Sequence, residues 1–254
     1  MTDWWKKAVI YQIYPRSYLD TTDNGIGDLK GIIKKINYIS DLGVDAIWLS
    51  PFFVSPMKDM GYDVSNYNAI DPLFGTMEDF EELLEVVHLN EIKLIIDQVL
   101  SHSSDQHEAF KNSKESKESE KSDWYVWADA KEDGSPPNNW LSVFGGSAWE
   151  WEPVRGQYYL HNFLPSQPDF NFHNEEVQEF LLNSVKFWLE KGVDGFRLDT
   201  VNYYFHDQQL RDNPKSPKKF KRPPINTYYL QDQVYSINQL ENLEFLEKFR
   251  KLLD

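Results

Sequence analysis

The sequence predicts an α/β fold with a parallel sheet covered on both faces. Three observations point there. Four short apolar runs of strand length are spaced along the chain, and the segments between them carry apolar residues at helical spacing. Two of those segments close on the same Gly-Val-Asp tripeptide, at 43–45 and 192–194, which leads directly into the next apolar run.

In chain order, Ala8–Tyr14 is the first strand, and Leu29, Ile32, Ile33, Ile36, Ile39 and Leu42 form the stripe of an amphipathic helix after it. Asp45–Ser50 is the second strand. Phe80, Leu83, Leu84 and Val87 mark the next helix, and Lys93–Val99 the third strand. The rhythm then breaks, because 101 to about 172 is far longer than the few residues of an ordinary βα loop and must fold on its own. Its turn clusters at 134–139 and 145–146, with aromatic stretches at Trp124–Trp127 and Gln157–His161, predict a small irregular β-containing subdomain. A helix with Val177, Phe180, Leu181, Val185, Trp188 and Leu189 leads to the fourth strand, Val193–Asp199. A polar loop over 202–235 follows, with Pro214, Pro217, Pro223 and Pro224, and Leu240, Leu243, Leu246, Phe249, Leu252 and Leu253 predict a closing amphipathic helix.

A complete (β/α)8 barrel takes about 250 residues without insertions. This chain has 254, carries an insert and a long loop, and shows four strands. The expectation is the N-terminal half of a (β/α)8 TIM barrel. Residues 1–100 would begin it, 101–172 form the inserted subdomain, and 173–254 continue through strand four, the long loop and the last helix.

Twenty-six Lys and Arg against 41 Asp and Glu give a net charge of −15, which repels phosphate backbones and anionic lipid, so nucleic-acid and membrane partners are not expected. With no cysteine there is no disulfide framework, thiolate metal site or cysteine nucleophile. The N-terminus lacks the apolar core and cleavage site of a signal peptide. A soluble, cytoplasmic chain is expected, with the charged run Ser113–Ser122 as solvated surface.

Active residues of parallel α/β sheets sit at the C-terminal ends of strands, and those ends are polar here. Arg197 and Asp199 are two apart in GFRLD and face one side of their strand. The guanidinium should lower the pKa of Asp199 and keep it ionised, as a nucleophile or charge stabiliser requires, although spacing alone leaves a structural ion pair equally open. Asp97 lies within the apolar third strand and needs a partner, for which Arg197 is the obvious candidate. His102, just beyond, could hydrogen-bond a substrate, but taken by itself it reads as an ordinary loop histidine.

Together these stretches resemble the α-amylase clan of glycoside hydrolases, family 13. DQVLSH at 97–102 is similar to the first signature of the family and GFRLD at 195–199 to its second. VIYQIYPRSY at 9–18, GIGDLKGI at 25–32, LGVDAIWLSP at 42–51, GYDVSNY at 61–67, FGT at 74–76 and QPDFN at 167–171 extend the likeness over nearly the whole chain. The tone of these blocks is that of the intracellular α-glucosidase and oligo-1,6-glucosidase branch.

The resemblance implies a retaining mechanism with Asp199 as nucleophile, Arg197 positioning it and Asp97 supporting Arg197. It implies that His102 hydrogen-bonds the terminal sugar, that Asp59 and Tyr62 supply a carboxylate and a stacking ring, and that Phe144 and Phe163 wall the pocket. Tyr62, Phe144 and Phe163 also read as simple packing. Thr200 after the nucleophile goes with α-1,4 rather than α-1,6 preference in this branch, which implies maltose and short malto-oligosaccharides as substrates. Oligo-1,6-glucosidases and sucrose-cleaving relatives are the alternative within the class, and a non-catalytic barrel acting as a binding subunit is the alternative outside it. The intact Asp199, Arg197 and His102 argue against the latter.

Asp20, Thr22, Asn24, the Ile26 carbonyl and Asp28 place oxygen ligands at alternate positions, a spacing suited to a hard cation, and the resemblance implies structural Ca²⁺ or Mg²⁺ there. A polar turn capped by Asp28 explains the same residues without metal. No organic cofactor and no obligate protein partner are expected, only small α-glucoside oligosaccharides. A retaining glycosidase needs a second carboxyl about 5–5.5 Å from the nucleophile. In the family it is a glutamate on a fifth strand, which this sequence does not reach, so the chain alone is expected to be an inactive fragment.

Overall fold

The computed structural model describes residues 3–219, 221–222 and 224–254, so Pro223 of the proline-rich loop and the first two residues lie outside the described part. Its centre is a four-stranded parallel sheet of β1 (Ile10–Ile13), β2 (Ala46–Leu49), β5 (Lys93–Val99) and β9 (Gly195–Asp199), paired in that order. These are the four predicted strands, β5 with its expected bounds and the other three shortened, in the arrangement of a partial barrel.

The Gly-Val-Asp tripeptides share a function. Gly43 and Gly192 have φ of +71° and +104°, turning the chain from helix to strand where a side chain would be strained. The aspartate that follows reaches sideways: Asp45 accepts the Val9 amide at 2.7 Å, and Asp194 accepts the Leu94 amide at 2.9 Å and the Lys93 ammonium at 2.8 Å. Each turn thereby fixes the register of its own strand against the preceding one.

Helices α1 (Pro15–Tyr18), α2 (Leu29–Lys34), α3 (Ile36–Asp41), α4 (Met77–Leu89), α6 (Glu175–Glu190) and α7 (Glu241–Leu253) cover the sheet. The single helix expected over 29–42 is broken at Lys35, whose φ of −106° and ψ of 5° leave the helical region, and Leu42 is exposed rather than in the stripe. A Cβ on Gly31 would stand 2.0 Å from the Leu19 carbonyl, so only glycine lets α2 pack against that loop. Asp28 caps α2, as its place in the polar turn suggests, and the structure adds a Thr76/Asp79 capping box on α4 and Asn174 on α6. In α7 the inward face is Asn242, Phe245 and Phe249, while Leu240 and Leu243 are exposed, a correction to the predicted stripe. Asn242 is drawn inward because its side chain accepts the Phe205 amide at 3.1 Å and donates to the Val201 carbonyl at 3.1 Å.

Three further parts were not read as elements in the sequence. β3 (Phe53–Val54) and β4 (Asn66–Ile70) pair antiparallel after β2, too short and mixed to show a period, and α5 (Glu108–Glu115) opens the insert. Ser113 of the charged run is fully buried, accepting from Trp127 Nε1 at 2.9 Å, so that run is anchored at its first residue. Within the insert, β6 (Trp127–Ala128), β8 (Gln157–Leu160) and β7 (Trp149–Glu152) make an antiparallel sheet in that order over a core of Val126, Trp140, Ala148, Trp149 and Leu160. No helix among the described residues is long and apolar enough to cross a membrane.

Trp188 of α6 joins the sheet's outer cover: its ring lies 5.0–5.6 Å from Phe52, Phe53 and Phe80, and its Nε1 donates to the Tyr67 carbonyl at 2.8 Å. Trp188→Ala should cost about 3–5 kcal/mol by urea denaturation, a cavity and an unpaired carbonyl together. Trp188→Phe should cost clearly less.

Candidate active site

β5 and β9 pair with Asp97 opposite Arg197 and Val99 opposite Asp199, so both strands deliver a carboxylate beside the same guanidinium. Arg197 Nη1 donates to Asp97 Oδ1 at 3.0 Å and Oδ2 at 3.1 Å, and also to Asp199 Oδ1. Trp48 Nε1 and the Tyr62 hydroxyl donate to Asp97 Oδ2 at 3.2 and 3.3 Å, and the guanidinium lies 5.0 Å over the Trp48 ring. Asp97 is fully buried and Asp199 nearly so. Arg197 also borders a cavity of about 880 Å³, lined by Trp4, Ile10, Trp48, Ile95 and Phe196 among others.

The electrostatics correct one expectation. Burial raises the Asp199 carboxyl's pKa, and Arg197 and the Thr200 side chain pull it back only in part, so the net shift is upward. Asp97 rises to about 7 for the same reason, burial outweighing Arg197. One cation is shared by two carboxylates, and neither receives its full stabilisation.

The loop between β3 and β4 brings in Asp59 and Tyr62. Asp63, wholly buried, gathers it by accepting the Ser55 hydroxyl at 2.9 Å, the Asp59 amide at 2.9 Å and the Lys58 amide at 3.0 Å. Gly61, at φ +107°, turns Tyr62 back toward Asp97. Half-buried Asp59 accepts Gln167 Nε2 at 2.8 Å; burial raises its pKa, Gln167 opposes, and the charges of Asp63 and Asp199 add to the rise. Gln167 Nε2 also lies 3.1 Å from His102 Nε2, so it bridges Asp59 and His102. His102 is buried, and desolvation takes its pKa down to about 4, leaving the ring neutral.

Phe163 is buried with its ring 5.2 Å from His102 and 5.1 Å from Tyr203, whereas Phe144 is half exposed and reaches the site only through Phe163, at 5.9 Å. Thr200 Oγ1 lies 2.7 Å from Ser101 Oγ. Asp97, Arg197, Asp199, Tyr62, Asp59, His102, Phe163 and Thr200 thus converge, with Phe144 outside them. Trp48, Asp63, Ser101 and Gln167 were missed, although Asp63 lies in the GYDVSNY stretch and Gln167 in QPDFN.

The loop of Asp20, Thr22, Asn24, Ile26 and Asp28 lies apart from this cluster. Asp20 accepts the Thr22 and Gly25 amides at 2.8 and 2.7 Å, Asn24 the Ile26 amide at 2.8 Å, and Asp28 the Thr21 and Gly31 amides at 2.8 and 2.7 Å. Among the described residues no group of three His, Cys, Asp or Glu is placed to hold a metal. The oxygen-only donors suit Ca²⁺ or Mg²⁺ in kind, and two carboxylates that already cap amides make a donor set of low charge.

The clamped carboxylates stand toward the C-terminal ends of neighbouring strands of a partial barrel, the face on which TIM-barrel enzymes carry their active sites. The alpha amylase catalytic domain matches residues 12–254, and the chain belongs to that family. It is 59% identical over 256 residues to a probable alpha-glucosidase of Rhizobium meliloti (strain 1021), covering 99% of this chain and 46% of that protein. It is 52% identical over 220 residues to an oligo-1,6-glucosidase of Heyndrickxia coagulans, covering 85% and 40%. The crystal structure of an alpha-glucosyl transfer enzyme, XgtA, matches with a TM-score of 0.97 at 60% identity, over 100% of this chain and 48% of its own. The chain spans under half the length of these relatives.

Arg197→Ala should lower stability by about 3 kcal/mol at neutral pH, the low end for a broken buried pair because the guanidinium is partly solvated. Without Arg197 both carboxyls favour their protonated forms still more in the folded state, so the deficit should shrink as pH falls from 7 toward 4. Urea denaturation across that range checks the sign.

Proposed function

We propose that this chain is the nucleophile-bearing half of a retaining α-glucosidase that releases terminal α-1,4-linked glucose from maltose and short malto-oligosaccharides. The observation that carries the reading is the Arg197 clamp on Asp199 together with the Asp59–Gln167–His102 bridge. An Asp199 oxygen attacks the anomeric carbon, the glycosidic C–O bond breaks, and water later cleaves the glucosyl ester with net retention. Asp59 accepts hydrogen bonds from hydroxyls of the terminal sugar, and Tyr62 covers its apolar face.

Protonating the leaving oxygen requires a second carboxyl. Asp59 and Asp97 both feel the charge of Asp199, but Asp59 is held by Gln167 and Asp97 by Arg197. We therefore propose that the acid comes from outside these residues and that turnover of maltose by the isolated chain matches an Asp199→Ala control.

A glucosyl fluoride needs no such acid, because fluoride leaves unaided. Incubation with 5-fluoro-α-D-glucosyl fluoride should add one fluoroglucosyl mass to the peptide containing Asp199 as fluoride departs, and Asp199→Asn should stay unlabelled. A label on Asp59 or Asp97 would reject the assignment.

The likeness to XgtA favours a second reading, in which the glucosyl group passes to a hydroxyl acceptor instead of water. Product analysis with maltose, isomaltose and sucrose, using a longer protein that contains this chain, separates hydrolysis from transfer and tests linkage. Thr200→Val there should raise the isomaltose-to-maltose ratio of kcat/KM by roughly tenfold, about 1.4 kcal/mol.

For the loop over 20–28, we propose a structural Ca²⁺ or Mg²⁺ held by Asp20, Thr22, Asn24, the Ile26 carbonyl and Asp28. Millimolar Ca²⁺ should raise Tm over a chelator-treated sample, and Asp20→Ala should abolish the rise.

A further inference from the structure

Asp199 is followed at once by a tight turn. Thr200 adopts φ +47°, ψ +34°, a left-handed conformation that costs energy in a β-branched residue and persists only where its surroundings hold it. Val201–Tyr203 then form a short 3-10 helix, and Tyr204 stacks 4.6 Å from Phe172. The Asn238 amide donates to the Asn202 carbonyl at 2.9 Å, and Thr200 Oγ1 lies 2.7 Å from Ser101 Oγ. Each of these contacts grips the turn at a single point.

Asn242 holds two points at once. From the first turn of α7, where it is buried, its Oδ1 accepts the Phe205 amide at 3.1 Å and its Nδ2 donates to the Val201 carbonyl at 3.1 Å. The sense of both bonds is fixed, because a backbone N–H can only donate and a carbonyl can only accept. Val201 and Phe205 are four residues apart, so these are the two groups that an α-helical hydrogen bond would join to each other. The side chain of Asn242 carries the same donor and acceptor as a peptide unit, and it is inserted between them where the chain would otherwise close on itself.

We propose that Asn242 is a positioning residue for Asp199. By occupying the Val201 carbonyl and the Phe205 amide, it keeps the turn after the nucleophile from winding into an α-helical one. Thr200 is thereby held in its left-handed conformation, and the direction in which the chain leaves Asp199 is fixed. Without this side chain the two backbone groups pair with each other, the peptide planes after Thr200 rotate, and the strain at Thr200 is released. Tyr203, whose ring lies 5.1 Å from Phe163, moves with them. Aspartate at 242 keeps an acceptor for Phe205 but sets a carboxylate against the Val201 carbonyl; alanine offers neither partner.

The catalytic consequence rests on the proposed function, whereas the state of the turn can be read without substrate. In the full chain labelled with ¹³C and ¹⁵N, Thr200 should show the strong amide-to-Hα NOE of a positive φ, with no NOE from Val201 Hα to the Phe205 amide. Asn242→Ala should weaken the first and produce the second. With 5-fluoro-α-D-glucosyl fluoride, Asn242→Ala and Asn242→Asp should label Asp199 roughly tenfold or more slowly, as a misplaced reacting group does. Trp188→Phe, destabilised on the outer face of the sheet, should label at the wild-type rate, and urea denaturation checks that each protein is folded under these conditions. A Val201-to-Phe205 NOE in the wild type overturns the proposal even if both Asn242 variants misfold. So does a folded Asn242→Ala that keeps the wild-type NOEs, a folded Asn242 variant that labels at the wild-type rate, or a Trp188→Phe that slows as much as they do. A wild-type chain that takes no label rejects the glucosidase reading, and the NOEs then still decide whether Asn242 holds the turn.

Discussion

One guanidinium holds two buried carboxylates on adjacent strands, and the rest of the site is arranged around that shortage of positive charge. Removing carboxylates from water is costly, and a single cation cannot offset two of them. Neutral donors make up part of the difference, the Trp48 indole and the Tyr62 hydroxyl on Asp97 and the Thr200 hydroxyl on Asp199. They come from β2, from the loop after β3 and from the residue following β9. The site therefore cannot form until the parallel sheet is in register, and the aspartates of the two Gly-Val-Asp turns lock that register from the opposite end of the strands.

The pocket's second wall is built on different terms. Asp63 organises its loop wholly through backbone amides and a serine hydroxyl, and Gln167 carries the insert to the sheet by joining Asp59 to His102. These contacts are neutral or singly charged, although burial and the charges of Asp63 and Asp199 still raise the pKa of Asp59. Under the proposed function, the carboxylate pair that shares one cation sits where an anomeric carbon would be attacked, and the hydrogen-bonding wall where sugar hydroxyls would be recognised. This division is the expected one for a site that binds a neutral sugar and develops charge only during reaction.

Much of this was legible in the chain. The four strands, the α4 stripe and the insert follow from periodicity and loop length, and Arg197, Asp199 and Asp97 from polar residues at strand ends. What escaped did so for definable reasons. β3 and β4 are too short to show alternation, and the break at Lys35 lies inside an unbroken apolar stripe. The α7 face was misassigned because leucines outnumber the two phenylalanines that are buried, and because Asn242 is drawn inward by backbone partners in a distant loop. The sign of the Asp199 shift was missed because spacing reveals a neighbouring arginine but not how much water the fold removes, nor that Asp97 competes for the same cation. Gln167 and Ser101 act through partners 65 and 99 residues away, a relation that no local pattern contains.

The central claim is that burial outweighs one shared guanidinium at both carboxylates. Carboxyl-detected ¹³C NMR titration of aspartate-labelled chain, with Asp97→Asn and Asp199→Asn for assignment, measures it directly. The account predicts that Asp97 titrates near pH 7 and that Asp199 titrates above the ordinary aspartate range. Midpoints for both below that range, as two fully compensated salt bridges would give, would contradict it.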